Sequence, residues 1–401
     1  MRKRWKEVRL GDVITLNYGK ALTSVNRAPG SVPVYSSAGI TGYHSNSLVD
    51  SEGVIIGRKG SVGTVYYSPK PFYCIDTAYY ILPSNDYSLK YMYYRIRSLG
   101  LEKLNEDSAV PGLNRETAYS QTFFLPPLPE QRTIAVILSF LDDKIALNDM
   151  VNRHLEGIAQ AIFKSWFVDF EPFCDNGFVE SELGSIPKGW RIAYLDECTD
   201  FYNGYAFNSK ELLDEEEHGC YHVFKMGHIK KGGGLNFEGT KSWIKRSDCK
   251  GILKYVLQKG DLLMCMTDMK GNVALLGHTA LMDENDKYIV NQRVGLIRTT
   301  EAFGINYPFL YILTNYKAFL ENLRGRANSG VQVNLSTAEI KKSLFVLAPT
   351  EINQRFNEIA TPIFDAIFRN QKESRTLTTL RDTLLPRLMS GELSIFDLVG
   401  K

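Results

Sequence analysis

The chain is written twice, and this repetition constrains its fold more than any other feature. Trp5, Leu10 and Gly19 recur as Trp190, Leu195 and Gly204, each 185 residues on. Tyr87, Tyr91, Asn114, Thr117, Ala118 and Pro129 recur as Tyr307, Tyr311, Asn334, Thr337, Ala338 and Pro349, an offset of 220 that reads as one gap-free block. Gln131-Arg132 returns as Gln354-Arg355, and Asp143, Ile145 and Asn148 return as Asp365, Ile367 and Asn370. The second copy thus carries 35 extra residues between Gly204 and Tyr307. Two copies are too few for a solenoid, whose units share one core by stacking. A period near 200 implies two whole domains, each followed by a similar appendage, in a pseudo-two-fold internal repeat.

Each half opens with short apolar runs broken by glycine: Val8–Leu16, Val32–Tyr35, Gly53–Ile56, Gly63–Tyr67 and Tyr79–Leu82, then Tyr221–Met226, Asp261–Met266, Val273–Leu276 and Val294–Arg298. Such runs are strand signals. Helical spacing follows at Leu89–Leu104 and at Pro308–Leu323. The expected fold is therefore two α/β (α+β) globular domains, residues 1–128 and 186–349, with a connector at 173–185.

The appendages differ in kind. From Glu130 to Phe170 there is no proline and a single glycine. Ile134, Leu141, Asn148, Leu155 and Ile162 interleave with Leu138, Ile145, Asn152, Ala159 and Trp166 in two seven-residue series, which predicts a long helix with a narrow partner seam over 129–172. A rod of this length spans about 60 Å. Residues 350–401 hold the second copy. Its seam is Phe356, Ile363, Asn370, Leu377 and Leu384, interleaved with Ile352, Ile359, Ala366, Glu373 and Leu380. Pro362 and Pro386 fall inside it and predict a kink or fraying. Because both seams carry asparagines near the middle, the economical partner for one rod is the other. An antiparallel coiled-coil spacer would hold the domains at its opposite ends.

Charge separates by segment. Residues 1–128 carry a net +5, 129–172 and 173–185 carry −3 each, 186–349 carry +3, and 350–401 are neutral. Paired basic domains on a spacer suggest nucleic acid, whose phosphates dominate affinity. Six scattered cysteines without a Cys-x-x-Cys read as reduced thiols in a cytoplasmic protein. No apolar run is long enough to span a membrane.

Candidate contacts are few. Gly57-Arg-Lys-Gly-Ser-Val-Gly63 follows a strand-like run but lacks the order of a P-loop, so Arg58, Lys59 and Ser61 suit DNA better than a nucleotide, against the alternative of a plain hairpin turn. Thr267-Asp-Met-Lys270-Gly271 holds the corresponding place in the second half. Gln292 and Arg293, beside Asn291, are side-chain types that read purine edges, or else plain polar caps. Tyr18, Lys20, Tyr202 and Tyr205 flank the matched Gly19 and Gly204 and either brace DNA or fill the cores. His218-Gly-Cys-Tyr-His222 lacks a fourth ligand and reads as a surface loop with no metal bound. There is no Walker A, no G-x-S-x-G, no H-E-x-x-H, no Asn-Pro-Pro-Tyr or Asp-Pro-Pro-Tyr methylation box, and no catalytic constellation.

Pro127-Leu-Pro-Glu-Gln-Arg132, Ile137-Leu-Ser-Phe-Leu-Asp-Asp-Lys-Ile145 and Phe163-Lys-Ser-Trp-Phe-Val-Asp-Phe170 resemble the central conserved region of type I restriction–modification specificity subunits. Leu380-Arg-Asp-Thr-Leu-Leu-Pro-Arg-Leu-Met-Ser-Gly-Glu-Leu393 is similar to that family's C-terminal ending, and the similarity covers essentially the whole chain. The resemblance implies a DNA-reading subunit without catalysis or cofactor of its own. Each target-recognition domain would bind one half of a split double-stranded site. The helices would dock two methyltransferase subunits that use S-adenosylmethionine, and restriction/translocase subunits would add ATP- and Mg-dependent cleavage. The competing classes are a two-domain nuclease or methyltransferase, and a protein-binding scaffold.

Overall fold

The computed structural model describes residues 5–104, 112–269, 273–329 and 332–395. It divides into two compact units: Met1–Asp149 with Gln371–Lys401, and Met150–Asn370. Each unit contains one globular domain and a stretch of both long helices, so the chain passes from one unit to the other within the helices.

In the first unit, strand Lys6–Arg9 pairs antiparallel with Thr122–Leu125 and ties the start of the domain to its end. A four-stranded antiparallel sheet runs Asn17–Tyr18, Ala78–Ile81, Gly53–Gly57, Val65–Ser68. A smaller sheet places Val32–Ser36 between Gly39–His44 and the parallel strand Tyr73–Cys74. Helix Leu89–Ser98 is capped by Ser88, whose side chain accepts the Tyr91 amide, and buries Leu89, Tyr91, Met92, Tyr94 and Ile96.

The second unit repeats this plan. Arg191–Tyr194 pairs with Leu344–Leu347. The four-stranded sheet runs Thr199–Asn203, Val294–Thr299, Leu262–Cys265, Thr279–Leu281. Cys220–Phe224 lies between Trp243–Lys245 and the parallel strand Tyr288–Val290.

The repeat is real, but its register differs from the one the identities suggest. The caps Ser88 and Asn306 stand 218 apart, whereas Leu125 and Leu347, which end the closing strands, stand 222 apart. Pro127 is the partner of Pro349: its carbonyl accepts the Glu130 and Gln131 amides, as that of Pro349 accepts those of Ile352 and Asn353. Asn114 caps its short helix where Ser336 caps the equivalent one, so Asn334 is displaced from the match. The apparent offset of 220 averages two true ones. The second domain gains four residues between them, and there helix Lys317–Gly325 is separated from Tyr307–Asn315 by an extended Tyr316 where one continuous helix was expected. Val8–Leu16 likewise turns out as a short strand followed by a helical turn at Leu10–Val13, and Val273–Leu276 is not a strand.

The long helices are Leu128–Phe167 and Thr350–Ser390, each about 60 Å by its rise. The second is one continuous helix through Pro362 and Pro386, so the expected fraying does not occur. In the first unit Asp142 Oδ1 meets Arg381 Nη1 at 2.8 Å, while Asn148 Nδ2 donates to Glu373 Oε2 at 2.8 Å. Rising numbers on one helix face falling numbers on the other, so the pair is antiparallel. In the second unit Asn370 Nδ2 donates to Asn152 Oδ1 at 2.9 Å, and Phe163 lies 6.0 Å from Phe356, again antiparallel.

Ile134, Leu138, Leu141 and Asn148 are buried as the heptads require, and Ile145, Asn152, Leu155, Ile162 and Trp166 are partly buried. On the second helix Phe356 is buried and Ile363, Asn370, Leu377 and Leu384 are partly so. Ile359, by contrast, is 40% exposed, and Ala360 takes the inward place, followed by Phe364, Ile367 and Phe368. A straight helix advances 3.6 residues per turn, so a strict 3.5 pattern drifts off the buried face. Here the helix also covers a domain, which widens the buried stripe. Phe356 is fully buried against Phe163, Phe167 and Phe309. We expect Phe356→Ala to destabilise the second unit by about 3–5 kcal/mol, read as a lowered urea midpoint; an unchanged midpoint refutes the shared aromatic core.

Candidate nucleic-acid interface

In both domains one loop is pinned by a matching set of backbone hydrogen bonds. In the first, the Gly57 amide donates to Thr64 O at 2.8 Å and the Gly63 amide to Gly57 O at 2.9 Å. The Arg58 and Lys59 amides both donate to Thr77 O, and the Leu113 amide to Arg58 O at 2.8 Å. In the second, Cys265 donates to His278 O, Gly277 to Cys265 O, Met266 to Arg293 O and Leu335 to Met266 O. These matched bonds equate Arg58 with Met266, Lys59 with Thr267 and Thr77 with Arg293. The neighbouring strand ends agree: the Gly19 amide donates to Ala78 O and the Gly204 amide to Val294 O. A Cβ on Gly19 would lie 2.1 Å from Ile75 O, and one on Gly204 would lie 1.9 Å from Asn291 O, so both crossings need glycine. That close approach is the reason for the matched pair.

What the loops display differs. In the first domain the Tyr18 and Tyr79 rings meet edge to face with centroids 5.1 Å apart. The Arg58 guanidinium lies 4.9 Å from the Tyr18 centroid and 5.7 Å from that of Tyr79, and its Nη1 donates to Asp76 O at 3.1 Å. Arg115, which opens the short helix capped by Asn114, lies 5.4 Å from the Tyr18 centroid. Each such cation–π contact contributes about 0.5–1 kcal/mol at an exposed site. Lys20, Lys59 and Ser61 are exposed around this cluster. The structure thus brings Tyr18, Arg58 and Lys59 together and adds Tyr79 and Arg115. Residue types and spacing did not reveal those two, although Arg115 directly follows the repeated Asn114.

In the second domain the same places are neutral. Thr267 is buried, and its hydroxyl donates to Asn334 Oδ1 at 2.8 Å. Thr337 donates to Asn203 Oδ1 at 2.9 Å. Asp268 accepts amides from Met269, Leu275 and Leu276, so its carboxylate organises the loop. Lys270 and Gly271 lie outside the described residues. Gln292 and Arg293 are exposed, and Arg293 sits at φ 69°, the left-handed region that non-glycine residues seldom occupy. Tyr205 is part-exposed, its ring 5.0 Å from that of Phe207 and 5.6 Å from that of Tyr255. Tyr202 packs against the core.

The segment through His222 corrects a sequence expectation. Cys220–Phe224 is a strand, where a surface loop was expected. The His222 ring stacks between Trp243 and Tyr288, at 5.2 and 5.0 Å, with His228 edge-on at 5.0 Å. Among the described residues no group of three or more His, Cys, Asp or Glu could hold a metal, and no helix is long and apolar enough to cross a membrane.

The two domains thus share one design, and each carries a backbone-pinned loop at the same place that displays different side chains. The chain matches the family described as the type I restriction modification DNA specificity domain over residues 2–156 and 187–377, and it belongs to that family. It is a specificity subunit of the type I restriction–modification class, which is non-catalytic. It is 25% identical over 362 residues to the type I restriction enzyme MjaIX specificity subunit of Methanocaldococcus jannaschii, covering 86% of this chain and 78% of that one. It is 24% identical over 351 residues to the HindI specificity subunit of Haemophilus influenzae, covering 71% of each. The crystal structure of a type I S subunit from M. genitalium shares the fold at a TM-score of 0.61 and 18% identity, over 96% of both chains.

Burial, then the neighbouring His228 and the lysines Lys287, Lys241 and Lys225, hold His222 down at about 4, and burial also lowers His228. A histidine whose folded pKa is depressed binds its proton more readily when unfolded. Its contribution to stability is complete above the ordinary 6.5 and is lost as pH falls from there toward 4. The melting temperature of the second unit should drop across that window, and His222→Phe should make the drop shallower; identical pH profiles for both proteins would remove His222 as the cause.

Proposed function

We propose that this chain reads a bipartite double-stranded DNA site, one half-site per domain, and that the paired helices set the distance between the halves. The observation that carries the reading is the pair of loops just described. One backbone frame recurs at one place in both domains, yet Tyr18, Arg58 and Arg115 of the first stand where the second has Asn203, Met266 and Thr337. A fold that keeps its frame and changes its display suits reading two different sequences. In this reading Tyr18, Lys20, Arg58, Lys59 and Ser61 contact the first half-site, while Tyr202, Tyr205, Thr267, Lys270, Gln292 and Arg293 serve the second.

The helices also support docking of two methyltransferase subunits. In the first unit Val136, Phe140 and Leu147 are exposed on the first long helix, Phe140 by 69%. In the second unit Met150, Val151 and Ile158 are exposed on the same helix, Ile158 by 50%. Single exposed apolar residues are ordinary, whereas recurrent ones along a helix mark a surface that another protein covers. S-adenosylmethionine would sit on those subunits, and ATP and Mg on restriction/translocase subunits where they join. A subunit that reads chromosomal DNA acts in the cytoplasm.

The test is a salt titration of the assembled complex on its duplex. Phosphate contacts should make affinity fall linearly in a log–log plot; a flat line contradicts DNA reading. Replacing Arg58 and Lys59 together by alanine should weaken the first half-site by roughly tenfold or more while sparing the second. Phe140→Glu should lower the number of methyltransferase subunits retained in native mass spectrometry, with DNA-half-site residues untouched.

A further inference from the structure

The matched frames permit a finer comparison, which rests on the reading just proposed. Arg58 and Met266 occupy one frame position, as the amides of Leu113 and Leu335 donating to their carbonyls require. Arg115 and Thr337 each open the short helix that follows, behind the caps Asn114 and Ser336. Tyr18 pairs with Tyr79 across the sheet as Asn203 pairs with Gly295. The first domain therefore has two guanidinium groups against one tyrosine ring where the second has methionine, threonine and asparagine. We infer that Arg58 and Arg115, braced on the Tyr18 ring, read guanine in the first half-site, and that the second domain reads no guanine from the equivalent positions.

The chemistry favours a base over a phosphate. Guanine offers O6 and N7 to the major groove, and a guanidinium fork matches both at once, the commonest specific contact to DNA. A phosphate needs only positive charge, which the exposed Lys20 and Lys59 already supply beside the cluster. Contact with the Tyr18 ring restricts the motion of both arginines, and a restricted fork matters for a bidentate contact and hardly for a point charge. Arg58 Nη1 donates to the neutral Asp76 carbonyl, and among the described residues no carboxylate forms an ion pair with it. Arg115 Nε lies 3.8 Å from Glu116 Oε1, but this pair is exposed, and such pairs contribute little. In the second domain Thr337 is bonded to Asn203 and Thr267 to Asn334, which leaves no cation in this triad of positions.

The experiment selects bound duplexes from a randomised library with the full chain assembled with its methyltransferase subunits. It compares the wild type with Arg58→Lys and Arg115→Lys. Lysine keeps the charge and most of the stem but loses the fork. The wild type should select a first half-site containing at least one G·C pair. Each variant should lose preference for guanine at one such pair by on the order of tenfold to a hundredfold, with an unchanged salt slope. The second half-site, selected in the same molecules, reports that the chain remains folded and should keep its full preference. A first half-site without a G·C pair overturns the inference, as does undiminished guanine preference in both variants. Equal loss in both half-sites also overturns it. Selection of no bipartite site by the wild type would instead reject the broader reading of the chain as a DNA reader.

Discussion

In each unit one hydrophobic core is shared by a domain and by both long helices, and this sharing underlies everything else. Ile134, Ala135 and Leu138 of the first helix and Leu388 and Met389 of the second sit in the same core as Leu10, Tyr91 and Ile96. In the other unit Phe163, Phe167, Phe356 and Phe364 join Trp190, Phe309 and Phe345. Burying each such side chain stabilises the fold by about 1.5–3 kcal/mol. Swinging a domain away from its stretch of helix would expose several at once. Polar ties reinforce the joint: Tyr94 donates to Asp142, which also pairs with Arg381, and Arg95 donates to Met389 O at 3.0 Å. A domain attached this firmly moves with its stretch of helix.

The seam between the helices changes character along its length. Aromatic and aliphatic side chains fill it beside each domain. In the first unit Asn148 and Lys144 meet Glu373, and in the second Asn152 meets Asn370. Amides and carboxylates in a seam cost stability relative to leucine, but each must find its partner, and a slip of one turn would leave buried polar atoms unpaired. Register is thereby specified by hydrogen bonding while adhesion comes from the apolar stretches beside each domain. If the helices set the distance between half-sites, as proposed, register matters more than the last increment of stability.

Much of this was legible in the residues. The duplication, the two rods, their asparagines and the absence of a catalytic constellation follow from periodicity and spacing, because long regular elements repeat their pattern many times. The register of the repeat was not legible: Tyr307 seemed to match Tyr87, yet Leu89 is its true counterpart, since tyrosine and proline are common enough to align by accident. Ile359 seemed a seam residue because sequence reports one periodicity, whereas the helix serves a partner and a domain on adjoining faces. At the candidate interface, the basic loop at Arg58 was visible. Tyr79 and Arg115 were not, because pairing across a sheet and capping of a short helix bring together residues far apart in the chain. His222 had the look of a loop ligand, and only its neighbours Trp243 and Tyr288, distant in sequence, make it a stacked core group.

The way the loops are held explains how one architecture can serve two recognition tasks. Every bond that equates the two frames is backbone to backbone: Arg58 to Thr77 and Leu113, and Met266 to Arg293 and Leu335. Such bonds do not depend on the side chain, apart from the glycines at the two crossings. Arginine can therefore stand where methionine stands without altering the path of the chain. The loop between the pinned ends is also free to change length, running from Arg58 to Val62 in the first domain and from Met266 to Leu276 in the second. Where the longer loop needs order, the chain supplies it locally, through the Asp268 carboxylate gathering three amides of its own loop. Stability resides in the apolar cores and the helix seams, whereas Arg58 and its counterpart Met266 share one frame without a change of path. That division lets the displayed side chains vary with little effect on the fold, as the proposed reading of two unlike half-sites needs.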